Sequence, residues 1–164
     1  MNLVSARRGR GFTLVELMVV VVIASILLGI AVPSYMSQVR QSRRTEAKTA
    51  LLDIAGREER YFSTSINGAN YSPAPADVGY AGPWPMQVGS NYYQVTVCVP
   101  AAANCGGVAL TMPNVPAAPS YVVVAAPVAG TSQANDNQCG NFGVDSIGQQ
   151  YATGSAGTQF CWSN

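Results

Sequence analysis

The chain has no histidine. It therefore lacks the commonest general base and the commonest metal ligand, and its many serines have no imidazole to activate them. No Cys-x-x-Cys is present either, so the usual zinc spacing fails as well. Neither a catalytic centre nor a metal or cofactor site is expected. From Tyr61 to Asn164 there is no Lys or Arg, and the only acids are Asp77, Asp136 and Asp145. Capture of nucleic acid requires cations that displace counterions from phosphates, so a nucleic-acid partner is not expected. No repeat of about 20–50 residues recurs, which excludes a solenoid.

What the chain does have is a carboxylate in apolar surroundings. Glu16 stands near the head of an apolar stretch that continues to Val32, and Leu17–Val32 holds no ionisable group. Counted from Phe12 the stretch is 21 residues, close to the ~20 that a bilayer core requires. A charge at the centre of such a helix costs roughly 2.5–3.5 kcal/mol, less near an end, so Glu16 calls for a partner. A short basic leader, Arg7-Arg8-Gly9-Arg10-Gly11, precedes it. A cut after Gly11 would give Phe12 a free amine one helical turn from Glu16, able to neutralise it within the chain or in a neighbouring chain. An ordinary secretory signal loses its apolar region on cleavage; here that region follows the cut and is kept.

These residues resemble the type IV pilins: Gly11 at the cut, Phe12 as the first mature residue, Glu16 at the fifth mature position, and Pro33 further along. The resemblance implies cleavage and N-methylation at Phe12 by a prepilin peptidase, and storage in the inner membrane with the N-terminus cytoplasmic. Helix-to-helix assembly into an extracellular filament at an inner-membrane platform would follow, with Glu16 setting register. Without residues 1–11, which hold three of the nine basic residues and none of the acids, the net charge is −2.

The remaining elements follow from pattern. One long helix is expected from Phe12 to about Phe62, bent near Pro33, where the missing donor and the crowded carbonyl of Gly29 give a kink a cause. Its second half carries Ala47, Ala50, Leu51, Ile54 and Tyr61 at helical spacing, widened by Leu52, Ala55 and Phe62, as a face for a head domain. Arg40–Lys48 reads as a solvated face. Segment 63–90 reads as a loop, in which Tyr71, Tyr80 and Trp84 cover the sheet or are offered for adhesion. Strands are expected at 92–99, 107–112 and 120–126, with Tyr93, Val95, Val97 and Val99 on one face.

The fold class is thus α+β: a long helix on a small antiparallel sheet with a disulfide-closed C-terminal region. The parts are a leader (1–11), a membrane or filament-core helix (12–33), an amphipathic helix (34–62) and a β head (63–164). Cys98, Cys105, Cys139 and Cys161 all lie beyond the anchor, which puts the head outside the cytoplasm. Four cysteines allow three pairings. Cys98 with Cys105 suits a hairpin staple and leaves Cys139 with Cys161. The C-terminal pattern Asp136…Cys139-Gly140…Gly148…Cys161-Trp162, with Glu58-Glu59-Arg60-Tyr61-Phe62, resembles PilE-type minor pilins. A pseudopilin of a type II secretion machine would share the N-terminal features.

Overall fold

The structure, a computed structural model, describes residues 12–65 and 70–163. Two compact units divide the chain: one runs to Gln38 and the other is Val39–Asn164. Helix α1 (Leu14–Thr64) contributes to both, with Pro33 inside it. In the first unit every described residue is exposed, from Phe12 to Gln38. That stretch includes the one helical span among the described residues that is long and apolar enough to cross a membrane.

In the second unit, strands β1 (Met86–Val88), β2 (Tyr93–Cys98), β5 (Val122–Pro127), β6 (Phe142–Asp145) and β7 (Gln150–Ala152) form one antiparallel sheet in the order β1-β2-β5-β6-β7. A two-stranded flap, β3 (Asn104–Cys105) with β4 (Val108–Ala109), lies apart from that ladder. Short helix α2 (Thr158–Ser163) ends the described chain.

Both faces of the sheet are covered. On one, Ala47, Leu51 and Ile54 of α1 are fully buried against Tyr93, Val95, Val97, Tyr121, Val123, Phe142 and Val144. Burying side chains such as Leu51 and Ile54 is worth about 2–5 kcal/mol each by truncation to Ala. On the other face Ala101, Cys105 and Leu110 pack on Val122, Val124 and Tyr151. Double coverage explains why β5 is apolar at every position from Val122 to Ala125, where a sheet wet on one side would alternate.

Several expectations need correction. The helix runs to Thr64, two residues past the expected end near Phe62. Leu52 is half exposed and does not widen the docking face. The expected strand 107–112 shrinks to Val108–Ala109, because the chain leaves the flap there to drop Leu110 onto the sheet. Segment 63–90 is not all loop, since β1 lies within it. Tyr71, Tyr80 and Trp84 pack, half-buried, against the helix-side core. Val99 is half-buried, while Tyr93, Val95 and Val97 are buried as expected.

Candidate functional site

The N-terminal site is built on the first turn of α1. Gly11 and the leader lie outside the described residues. Phe12 is exposed, and Thr13 precedes the helix, where its Oγ1 accepts the backbone N–H of Glu16 at 3.2 Å. Thr13 is thus the N-cap and Glu16 the third helical residue. That Thr-x-x-Glu spacing is a capping-box signature that the sequence itself carries. A carboxylate in the first turn also opposes the positive end of the helix dipole. Glu16 is therefore held in a regular helical turn and is exposed. The apolar surface that follows it, from Leu17 through Val32, has no cover in its own unit. Where the bend was expected, Pro33 sits inside the helix without ending it.

The second site is the seam between α1 and the head, and it is more polar than hydropathy implied. Arg44 is buried, with its side chain 7% exposed, and Asp136 beneath it is 1% exposed. The guanidinium donates from Nε to Oδ2 at 2.7 Å and from Nη2 to Oδ1 at 2.6 Å, and further to Gln138 Oε1 at 3.1 Å. Gln133 completes the network by donating from Nε2 to Asp136 Oδ2 at 2.9 Å and to the Tyr93 hydroxyl at 3.1 Å. Burial alone would raise the Asp136 carboxyl. The Arg44 hydrogen bond and charge, with the N–H groups of Cys139 and Gln138, outweigh it and hold the carboxyl below its usual range. The same hydrogen bond raises Arg44 in spite of its burial.

Neighbouring helix residues hold other parts of the head. Arg43 lies over the Tyr92 ring, 3.4 Å from its centroid, and donates to Ser132 Oγ at 2.8 Å. Glu46 accepts both the N–H and the hydroxyl of Ser90 at 2.9 Å, at the β1–β2 turn. Lys48 donates to the carbonyls of Cys161 and Trp162 at 3.3 and 3.4 Å. The Arg40–Lys48 run is therefore not simply a solvated face, which corrects the expectation. Its charges reach three segments of the head: 90–92, 132–138 and 161–162. Further along, Arg57 pairs with Asp53 at 2.8 Å, donates to the Val78 carbonyl at 3.2 Å and lies over Tyr80, whose hydroxyl donates to Asp53.

The cysteines pair as Cys98–Cys105 and Cys139–Cys161, with Cα separations of 5.7 and 5.5 Å. The first ties β2 to the flap. The second ties α2 to the loop that carries Asp136, one turn of chain away from the Arg44 network. Seam and disulfide therefore hold the same C-terminal segment from two sides. Among the described residues no cluster of potential metal ligands is present.

Comparison with known proteins agrees with this arrangement. The family described as "Type IV minor pilin ComP, DNA uptake sequence receptor" matches residues 33–143, and the prokaryotic N-terminal methylation motif matches residues 6–32. The type IV major pilin protein PilA of Myxococcus xanthus is 36% identical over 99 residues, covering 60% of this chain and 40% of that protein. The fimbrial protein EcpC of Eikenella corrodens is 35% identical over 103 residues, with 63% and 62% covered. The type II secretion system core protein G of Pseudomonas aeruginosa is 46% identical over 55 residues, with 34% and 39% covered. In each case the match spans less than two thirds of the relative's length.

Proposed function

The chain belongs to the type IV pilin family, and from that premise we propose that it is a minor pilin, a structural subunit of a pilus without catalytic activity. A prepilin peptidase cuts after Gly11 and methylates the Phe12 amine. The precursor waits in the inner membrane with its N-terminus in the cytoplasm and its head outside, then enters the filament through an inner-membrane assembly platform. The observation that carries this reading is the order of two matches that meet end to end: a methylation motif over 6–32 and a minor-pilin family over 33–143.

The physics of assembly rests on the first helix. A surface apolar all round is as stable among like helices as among lipid chains. A lone carboxylate in that bundle is costly, so each subunit fits best where Glu16 meets a Phe12 amine. The proposed parts are then the leader 1–11, the core helix 12–33, the amphipathic helix 34–62 and the head 63–164. The test is intact mass of sheared filaments. A chain beginning at methylated Phe12, with four oxidised cysteines and at trace level beside another pilin, supports the minor-pilin reading. As the dominant species it would be the major pilin. A processed form confined to the inner membrane would favour a type II secretion pseudopilin. Retention of residues 1–11 in that membrane form would overturn the reading. In parallel, Glu16→Val should be processed normally and excluded from filaments; normal incorporation would remove Glu16 from assembly.

A second reading, DNA capture, is favoured by the description of the matching family as a DNA uptake sequence receptor. The charges of this chain place it second. Beyond Arg60 there is no Lys or Arg, Arg44 is buried against Asp136 and Arg57 is paired with Asp53. Fluorescence anisotropy of the mature chain with duplex DNA at low salt decides between them, since capture through phosphates must weaken steeply as salt rises.

A further inference from the structure

The buried stripe of α1 has a charged residue at each end: Arg44, Ala47, Leu51, Ile54, Glu58. Arg44 meets Asp136, but Glu58 meets no cation. Glu58 is fully buried. Its Oε2 accepts the backbone N–H of Ser72 at 3.0 Å, and its Oε1, also buried, has no hydrogen-bond partner among the described residues. The charged and titratable groups acting on it are Asp77 from the 3-10 turn at Pro75–Val78, Glu59 from α1, and the phenols of Tyr71 and Tyr121. Two are acids and two are phenols, so no cation offsets the charge that ionisation of Glu58 adds, and only the Ser72 N–H favours it.

Segment 70–78 meets this carboxyl through the Ser72 N–H. Ser72 is buried there and donates its hydroxyl to Asp77 at 2.6 Å while accepting the Ala74 N–H at 3.0 Å. Tyr71 stacks on Phe62 with centroids 4.7 Å apart and meets Tyr121 edge-on at 4.6 Å. From this segment Ser72 donates to Glu58 in the buried stripe of α1, while the Tyr71 hydroxyl donates to Glu59 and the Val78 carbonyl accepts from Arg57 on the helix's outer side.

We propose that Glu58 is a proton-controlled latch: protonated, it lets segment 70–78 close over α1, and ionised, it drives that segment off so that water reaches the carboxylate. The inference stands on the fold of the second unit and does not depend on the pilus assignment. A neutral carboxyl is far cheaper to bury than a charged one. Burial raises Glu58 from 4.5 to about 7; the Ser72 N–H opposes this, and the charges of Asp77 and Glu59 add to it. The closed state thus binds more protons than the open one. Closure is strongest below the open-state value of 4.5, weakens as pH rises, and levels off above about 7. The ceiling on the change is roughly 300-fold in the closing equilibrium, tenfold for each pH unit by which the two values differ.

Hydrogen exchange on the mature full-length chain in detergent micelles tests this, with rates corrected for intrinsic exchange chemistry. Protection of the Ser72 amide should fall by about tenfold or more between about pH 5 and about pH 8, while Val95 and Val123 in the sheet stay constant. Glu58→Gln should keep Ser72 protected at every pH. Asp77→Asn, which removes one neighbouring charge and keeps an acceptor for Ser72, should move the midpoint to lower pH. A flat wild-type profile would overturn the latch. So would an unshifted midpoint in Asp77→Asn, a wild-type slope in Glu58→Gln, or loss of protection in Glu58→Gln at all pH values.

Discussion

Asp136→Ala is expected to be among the most damaging single changes in the head. It removes the counter-ion from a guanidinium whose side chain is 7% exposed. Arg44 would keep only Gln138 as a side-chain partner, at 3.1 Å, and Gln133 would lose one of its two acceptors. Breaking a buried pair by deleting one partner costs about 3–5 kcal/mol, because the remaining charge stays desolvated. Arg44→Met should cost less, since Asp136 would keep Gln133 and the backbone N–H groups of Gln138 and Cys139. The double change Arg44→Met with Asp136→Leu should recover most of the loss, as apolar replacement of a whole buried pair is often neutral or better. Urea titration of the mature chain in mild detergent measures all three. Both tryptophans, Trp84 and Trp162, lie in the head and report its unfolding by fluorescence. Losses below about 1 kcal/mol in both single variants, the level of an exposed pair, would refute the claim that the seam is desolvated. The pair also sets acid sensitivity. Because the folded-state carboxyl of Asp136 lies below 3.8, its contribution is fully present above that value and is lost only as pH falls through the lower folded value.

Two further changes probe the C-terminal segment. Gly154→Ala would place a methyl 2.0 Å from the carbonyl oxygen of Gln138, against backbone that cannot swing aside; a loss of about 1–3 kcal/mol or more is expected in the same titration, and a neutral result would contradict the close approach. Cys139→Ser with Cys161→Ser opens a link of sequence separation 22 and should cost about 3 kcal/mol by loop entropy, whereas opening Cys98–Cys105, with separation 7, should cost less; equal losses would show that loop length does not govern them.

How much of this was legible depends on what each residue type signals alone. The helix, its Ala47–Leu51–Ile54 face and strand β2 followed from apolar periodicity, and β5 from a continuous apolar run bounded by turn residues, because those side chains are buried for the reason hydropathy measures. The cysteine pairing suggested by spacing is the one observed. Strand β6 escaped because Phe142-Gly143-Val144-Asp145 has no alternation to read. Gly143 is there because Leu110 crosses so closely that a Cβ would meet its Cδ1 at 2.7 Å. Asp145 is there because its Oδ1 accepts the N–H groups of Ile147 and Gln149 in the β6–β7 turn, while Oδ2 accepts the Tyr151 hydroxyl. Arg44 and Glu58 escaped for a related reason. They occupy the same helical face as Leu51, but charge alone assigns such residues to water, and only long-range partners reveal otherwise.

The three acids of the 61–164 stretch lead to a conclusion about how the head meets its surroundings. Asp136 is taken by Arg44, Asp145 by its own turn and Tyr151, and Asp77 accepts from the Ser72 hydroxyl. No Lys or Arg exists in that stretch to balance or exploit them. Apart from the exposed Asp77, the head away from α1 therefore presents a surface of hydroxyls, amides and scattered apolar side chains, with Ile147 and Val115 exposed. Contacts made there depend on hydrogen bonds and shape, which salt hardly screens. Contacts made by the outer face of α1, where Arg60 and Asp53 are exposed, carry the salt dependence. Any ionic-strength effect on how this subunit associates should accordingly map to the helix and not to the sheet.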